Sequence, residues 1–492
     1  MSAYSLPEPP WRAESLGQPI PDSPHAVSVS LPLWQHNIGY EEGDLKVIGK
    51  MQSGYPRFFI NPQVQQLFDS IARSFGDQCV CFGFPSQAVA IRCQQYVQQH
   101  VESHLVVDSV TENLWIVVGS PDAADLIKQF WQHGGEIVSS RAAELALAGH
   151  SPKVSDCDSK QVIRQRLATF NNCDPSDVYL FPSGMAAIYL AWRVCNHFRP
   201  DKKSIQFGFP YVDTLKLQQR FVSNGVQFYP KGDQSELNGV KTILENESIQ
   251  AVYCESPTNP LLVTPDISVL QQMANTHGCP LVVDDTLSAM LNTETLSRCD
   301  LMTTSLTKFF SGGGDVLGGS LIINANGPHA DTLRQIVDDE YQDLLYDCDA
   351  DVLATNSADA VERITTINET AESVADFLTT HPVVDRVFYP KFMSREQFDL
   401  IRRPNGGFGG LLSVTLINPD AAPRFYDALA IAKGPNLGTN FSLACPYTIL
   451  AHYDELEFAE TCGVSRNLIR ISVGLEEPGW LIGRLKTALE AC

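Results

Sequence analysis

The chain of 492 residues is 44% hydrophobic and 19% charged, the balance of an ordinary soluble globular protein, and is long enough for about two to four domains. A formal charge of −22 with no basic patch argues against nucleic acid or an anionic membrane surface as a partner. Thirteen cysteines lack a Cys-x-x-Cys pair or a disulfide framework, no apolar signal core opens the chain, and no run is long enough to span a bilayer, so a cytoplasmic location is expected.

Residues 1–30 are rich in proline and read as an extended arm; 31–62 carry aromatic and glycine landmarks without helical periodicity. From 63 to 150 the pattern is α/β-like, with helices expected over 64–75 and 123–132 and strands over 79–82 and 115–118. Cys79-Val80-Cys81 belongs to the first of these strands as small buried side chains, and no metal-ligand spacing stands out. Between 178 and 323 short apolar runs alternate with helical stretches. Strands are expected at 178–181, 205–209, 251–254, 281–284, 301–304 and 320–323, and a helix at 186–195. That alternation predicts a mostly parallel sheet covered on both faces. The acidic stretch 338–351 lacks calcium-loop spacing and a central glycine, so it reads as a solvated helix face and loop. A long amphipathic helix over 356–380 leads to strands at 411–416 and 468–473, a smaller α+β C-terminal domain.

The chemistry centres on Ser305-Leu306-Thr307-Lys308, which follows the strand end Val282-Val283-Asp284-Asp285-Thr286. Pyridoxal phosphate chemistry needs an amine for a Schiff base and a carboxylate that keeps the pyridine nitrogen protonated; Lys308 and Asp284 supply the two types in the right order. The hydroxyls of Ser305 and Thr307 are candidates for the cofactor phosphate. Pro182-Ser183-Gly184-Met185 turns from a strand into a helix, and its glycine and free amides suit a phosphate as well. Tyr211 lies past a strand end, where a ring can stack on the cofactor and a phenol can move a proton. Asn259 is placed to meet the cofactor's ring oxygen, and Arg470, within a strand candidate, offers a fork for an amino-acid carboxylate.

These motifs, in this order, resemble the Cys/Met-metabolism branch of fold-type I pyridoxal phosphate enzymes, and most of all its longer, fungal-type cystathionine γ-synthases. The likeness is carried by Leu33-Trp34 with Gly39-Tyr40-Glu41-Glu42-Gly43, Gly54-Tyr55-Pro56-Arg57-Phe58-Phe59, Phe209-Pro210-Tyr211-Val212-Asp213-Thr214, Val283-Asp284-Asp285-Thr286 and Leu437-Gly438-Thr439-Asn440-Phe441-Ser442-Leu443-Ala444-Cys445-Pro446-Tyr447. The resemblance implies a large domain with a mostly parallel seven-stranded sheet over 151–350, a small domain over 351–492, an inserted stretch over 63–150 and an arm over 1–62. It implies that Lys308 forms the Schiff base and shuttles protons, Asp284 pairs with the pyridinium, Tyr211 stacks, and Asn259 contacts the ring oxygen. Gly184, Met185, Ser305 and Thr307 hold the phosphate, while Arg470, with Asn436 and Tyr55 beside it, binds the substrate. Tyr55 and Arg57 are implied to reach the phosphate of a neighbouring subunit, in a homodimer or homotetramer with shared sites.

The implied reaction is γ-replacement on an O-acetyl- or O-succinyl-L-homoserine through a β,γ-unsaturated intermediate, with cysteine as nucleophile. A paralogue using a carbon nucleophile or sulfide, and a γ-lyase, stand as alternatives. Three departures bear on that choice. They are the long insertion between Arg57 and Gly184, Asn436 where the family has serine, and the segments Ser311-Gly312-Gly313-Gly314-Asp315 and Leu287-Ser288-Ala289.

Overall fold

Asn61 starts the inserted stretch. Its side chain accepts the Gln63 N–H, Pro62 takes the first helical position where no amide donor is needed, and the helix Pro62–Phe75 follows. The structure, a computed structural model, describes residues 10–76, 78–111, 113–150, 158–221 and 224–492. The first nine residues of the expected arm therefore lie outside the described residues.

Strands β1 (Val80–Phe84), β2 (Val106–Thr111) and β3 (Leu114–Gly119) form an antiparallel sheet in the order β1-β3-β2. Sequence periodicity finds β1, β3 and the helix Ala124–Gly134, but misses β2 and the helix Gln87–Gln98. The reason is physical for β2: it is an edge strand with Asp108, Ser109 and Val110 exposed, so it carries no apolar pattern. This small sheet does not stand apart. Its side chains Phe68, Phe82, Phe130 and Trp131 share one apolar core with Tyr189 and Trp192 of the helix Gly184–Phe198.

Strands β4 (Val178–Phe181), β5 (Ser204–Phe207), β6 (Val226–Tyr229), β7 (Val252–Glu255), β8 (Leu281–Asp284), β9 (Leu301–Ser305) and β10 (Gly319–Ile323) make a seven-stranded sheet in the order β4-β10-β9-β8-β7-β5-β6. The run β6-β5-β7-β8-β9 is parallel, and β10 lies antiparallel between β9 and β4. Nearly every residue of β4, β5, β7, β8, β9 and β10 is buried, as helices on both faces require. All the carboxyl ends of the parallel run therefore open on one edge of the sheet.

The third sheet, β11 (Val384–Phe388), β12 (Leu411–Leu416), β13 (Ala432–Lys433), β14 (Leu443–Pro446) and β15 (Ile469–Ser472), runs in the order β11-β12-β15-β14-β13. The helix expected over 356–380 is two: Asp347–Asn356 and Ala360–Thr380, separated by the turn Ser357–Asp359. Buried Arg363 enforces the break, donating to the carbonyls of Asn356, Phe309 and Phe310 while pairing with Asp359. The helix Trp34–Glu41, unforeseen in 31–62, has little amphipathicity of its own. It is fixed by Trp34 N–H on Asp427 Oδ1 (2.7 Å) and Asn37 Nδ2 on Tyr426 Oη (3.3 Å). The acidic stretch is less solvated than expected: Asp343 and Asp347 pair with Lys160, Asp343 with Arg164, and buried Asp349 with Arg141.

Trp131 sits 2% exposed at the centre of the shared core and donates its indole N–H to the Gly83 carbonyl at 3.2 Å. Trp131→Ala is expected to lose about 3–5 kcal/mol, the usual cost of an aromatic-sized cavity. Thermal unfolding of the purified variant, followed by circular dichroism, measures the loss.

Candidate active site

Three strand ends of the parallel run, β7, β8 and β9, deliver their side chains to one cavity of about 550 Å³. β9 ends at Ser305 and the chain turns through Leu306 and Thr307 to Lys308, whose amide donates to the Ser305 carbonyl at 3.3 Å. Lys308 is 9% exposed. Its Nζ donates to Asn436 Oδ1 at 2.5 Å and lies 4.2 Å from the centre of the Tyr55 ring. Burial, with the guanidinium groups of Arg470 and Arg57 nearby, holds its pKa well below the usual lysine range.

Asp284 ends β8 beside Glu255 at the end of β7, the two being register partners. Asp284 Oδ1 accepts the Thr286 N–H at 2.9 Å; Glu255 accepts the Tyr211 N–H at 2.5 Å and the Asn259 N–H at 3.0 Å. Burial pushes both carboxyls up, Glu255 well above the usual range with Asp284 adding to it. Glu255 thus keeps the proton, and Asp284 is the carboxyl that a nearby cation draws into ionisation. Glu255 also sets the loop that carries Tyr211 and Asn259. The approach to Tyr211 passes Gly208 at φ +84°, where a Cβ would meet Thr258 Cγ2 at 2.6 Å.

At the other end of the cavity the helix Gly184–Phe198 begins. Ser183 Oγ caps it by accepting the Ala186 N–H at 3.1 Å, and a Cβ on Gly184 would stand 2.6 Å from the Ser305 Cβ. Ser305 Oγ is buried without a hydrogen-bond partner, as is Arg57 Nε. Arg57 itself is 2% exposed and donates to Asp213 Oδ2, to the Tyr211 hydroxyl at 2.5 Å and to the Gln132 carbonyl at 2.8 Å. Those donors and the helix amides suit a bound dianion. Arg470, in β15, donates to Asn259 Oδ1 at 3.2 Å and to the Pro435 carbonyl at 3.2 Å, with its Cζ 4.9 Å from the Tyr447 ring centre.

Lys308, Asp284, Tyr211, Asn259, Ser305, Gly184, Met185, Tyr55, Arg57 and Arg470 thus line one cavity, and Asn436 touches it through Lys308. Two expectations differ from what is found. Thr307 turns its hydroxyl to Gly318, accepting that residue's N–H at 3.0 Å and donating to its carbonyl at 3.3 Å, so it is spent on the backbone. Tyr55 and Arg57, expected to reach a neighbouring subunit, lie in the pocket of their own chain. Sequence reasoning assigned no role to Asp213, Gln132, His133 or Glu255. Asp213 and Glu255 lie within quoted motifs, yet their partners lie far away in sequence.

A lysine after a strand of a parallel sheet, a carboxylate at the neighbouring strand end and an anion-binding helix start define the site of a pyridoxal phosphate enzyme. The chain belongs to the family described as Cys/Met metabolism PLP-dependent enzymes, whose profile matches residues 155–490. The profile of the fungal trans-sulfuration enzyme N-terminal domain matches residues 63–139. A cystathionine gamma-synthase-like enzyme of Amanita muscaria, iboG2, is 34% identical, with 97% of this chain and 96% of that one covered. Cystathionine gamma-synthase of Neurospora crassa is 33% identical, with 96% and 98% covered. Among solved structures, metB of Corynebacterium glutamicum superposes with a TM-score of 0.59 at 24% identity, over 70% of this chain and 89% of that one. The cofactor of this family is pyridoxal phosphate, and the unpartnered Ser305 Oγ and Arg57 Nε, the helix start and the buried amine all fit it.

A depressed lysine pKa costs stability. Below the usual value of 10.5 the unfolded chain binds a proton that the folded site resists, so the cost is full near neutrality and fades as pH rises towards that value. In cofactor-free protein Lys308→Met is therefore expected to be more stable than wild type at pH 7, with the gap narrowing on the way to pH 10. Urea unfolding at both pH values measures it.

Proposed function

We propose that the protein catalyses γ-replacement on an O-acyl-L-homoserine, with L-cysteine as nucleophile. The acyl carboxylate leaves Cγ, the cysteine sulfur bonds to Cγ, and the thiol proton accounts for the acid released; the product is cystathionine. The observation that carries this is the meeting, in one cavity, of a buried amine kept uncharged at Lys308 and a buried arginine fork at Arg470. Relatives named as cystathionine gamma-synthases along nearly their whole length support the reaction class.

In this reading Arg470, aimed by Asn259 and the Pro435 carbonyl, takes the substrate α-carboxylate with paired N–H donors. Lys308, neutral through burial, removes the Cα proton and carries protons to and from Cβ, while Asn436 Oδ1 holds the amine in reach. Bound pyridoxal phosphate supplies the electron sink for this chemistry. Asp284 would face its ring nitrogen, Tyr211 its ring and Asn259 its ring oxygen. Gly184, Met185, Ser305, Tyr55 and Arg57 would hold the phosphate. The Tyr211 phenol, pushed well up by burial, keeps its proton, which leaves Lys308 as the base.

Asn436 favours a second reading, in which the same donor meets a carbon nucleophile or sulfide, or loses its acyl group as in a γ-lyase. Its Nδ2 is buried without a partner beside Lys308, a donor that serine at this position lacks. Mass spectrometry of products from O-acetyl- or O-succinyl-homoserine, with and without cysteine, decides between them. Cystathionine is the expected product; slow 2-oxobutyrate and ammonia with no cysteine adduct would replace the first reading with the second.

Arg470→Ala removes a buried charge-assisted contact of at least about 2 kcal/mol, so kcat/KM for the acyl-homoserine is expected to fall by about thirtyfold or more. Steady-state kinetics against that substrate measures the fall. An unchanged kcat/KM would remove Arg470 from substrate binding.

A further inference from the structure

Tyr55 and Arg57 ride on a short segment whose two ends are both tied to the chain that carries it. Upstream, the Val27 N–H donates to the Gly314 carbonyl at 2.9 Å, in the loop just after Lys308, and the Leu31 N–H to the Lys433 carbonyl at 3.0 Å. The buried amine of Lys433 donates to the Pro32 carbonyl at 2.8 Å, and the next helix is held on Asp427 and Tyr426. Within the arm, Gln52 N–H donates to the Gly17 carbonyl at 2.8 Å and Ser53 Oγ to the Ala26 carbonyl at 2.8 Å. Downstream, Asn61 donates to the Pro24 carbonyl at 2.8 Å and caps the helix Pro62–Phe75 of the inserted domain. That domain shares its core with the helix at the anion end of the cavity.

The same domain reaches Arg57 directly. The helix Ala124–Gly134 offers the Gln132 carbonyl to Arg57 at 2.8 Å, and Gln132 Nε2 donates to Asp213 Oδ1 at 3.1 Å. His133 lies 3.0 Å from Asp213 through Nδ1 and 3.0 Å from Arg220 through Nε2. A guanidinium only donates, so Nε2 accepts from Arg220 and Nδ1–H donates to Asp213. Asp213, 1% exposed in its side chain, in turn holds Arg57. The result is a directed chain of hydrogen bonds from Arg220 through His133 and Asp213 to Arg57, entirely inside one subunit.

We propose that each chain builds its own phosphate-binding end: Tyr55 and Arg57 serve the pocket of the chain that carries them, and the inserted domain, through Gln132 and His133, is the positioning element that holds Arg57 there. An interrupted path between Arg57 and Gly184 then has a purpose. The insertion fills the gap and anchors the arm where it stands. This inference rests on the reading of the cavity as a pyridoxal phosphate site, and not on which nucleophile it uses.

Hybrid oligomers test it. Differently tagged Lys308→Ala and Arg57→Ala chains are co-expressed, the doubly tagged species is isolated, and its pyridoxal phosphate affinity is titrated by the visible absorbance of the lysine-bound cofactor. Only chains with Lys308 give that signal. In a self-contained site all of them lack Arg57, so the titration is expected to show one weak phase matching the Arg57→Ala homo-oligomer, about tenfold or more weaker than wild type, since the lost contact is a charge-assisted one. A phase as tight as wild type would mean that Arg57 arrives from the partner and would overturn the proposal. If Arg57→Ala does not fold, Tyr55→Leu takes its place, because Tyr55 stands outside the buried ion pair. A chain that sediments as a monomer and binds the cofactor tightly would establish a self-contained site outright.

His133→Ala is expected to weaken cofactor affinity several-fold, with His133→Asn, which keeps a donor near Nδ1, restoring most of it. Wild-type affinity in His133→Ala would remove the inserted domain from the positioning role. Failure of wild-type protein to bind pyridoxal phosphate would sink the cofactor reading itself, whereas cofactor binding without cystathionine synthesis would touch only the nucleophile.

Discussion

A buried amine with cations rather than a carboxylate for close company is the constraint around which this molecule is arranged. Lys308 is shut from water, its oxygen partner is the neutral amide of Asn436, and the charged groups acting on it are Arg57 and Arg470. An ammonium there would be opposed from both ends, so the site keeps the lysine neutral and nucleophilic. The fold supplies this by placing each arginine on a different scaffold. Arg470 comes from β15 of the C-terminal sheet and Arg57 from the arm, while Lys308 sits in the turn after β9 between them.

The acidic half of the cavity is separated from the cationic half by the sheet itself. Asp284 and Glu255 end neighbouring parallel strands, and the backbone amides of Thr286, Tyr211 and Asn259 satisfy them without any fixed positive charge. Such a pair stores a proton that a cationic ligand can displace. That is a polarity a pyridine nitrogen can use and that an ion-paired carboxylate would forfeit. Asp213 is the contrast. Also fully buried, it is held down to a pKa of about 2 despite desolvation because Arg57 and His133 attend it, and so it serves as a structural anion.

What could be read from the chain follows this division. The buried strands β4, β8 and β12 have the bounds expected of them, because a covered sheet demands uninterrupted apolar runs with sharp turn signals. Lys308, Asp284 and Asn259 could be placed in the cavity because each sits at or just past such a strand end. The helix Trp34–Glu41 could not, since polar contacts to Asp427 and Tyr426 rather than an apolar stripe hold it. Thr307 misled for a related reason. A hydroxyl beside the lysine is equally suited to a phosphate and to a backbone amide, and only the return of the chain at Gly318 decides between them.

The same limit explains why the buttress of Arg57 stayed invisible. Gln132, His133, Asp213 and Arg220 lie on two helices, Ala124–Gly134 and Val212–Arg220, and no spacing within either announces that they meet. Their significance appears only once the inserted domain is seen to share a core with the helix at the anion end of the pocket. A buried guanidinium that must stay fixed needs its acceptors fixed as well. Here they are drawn from a domain whose position the core already determines. The insertion is therefore better understood as part of the wall of the active site than as an appendage to it.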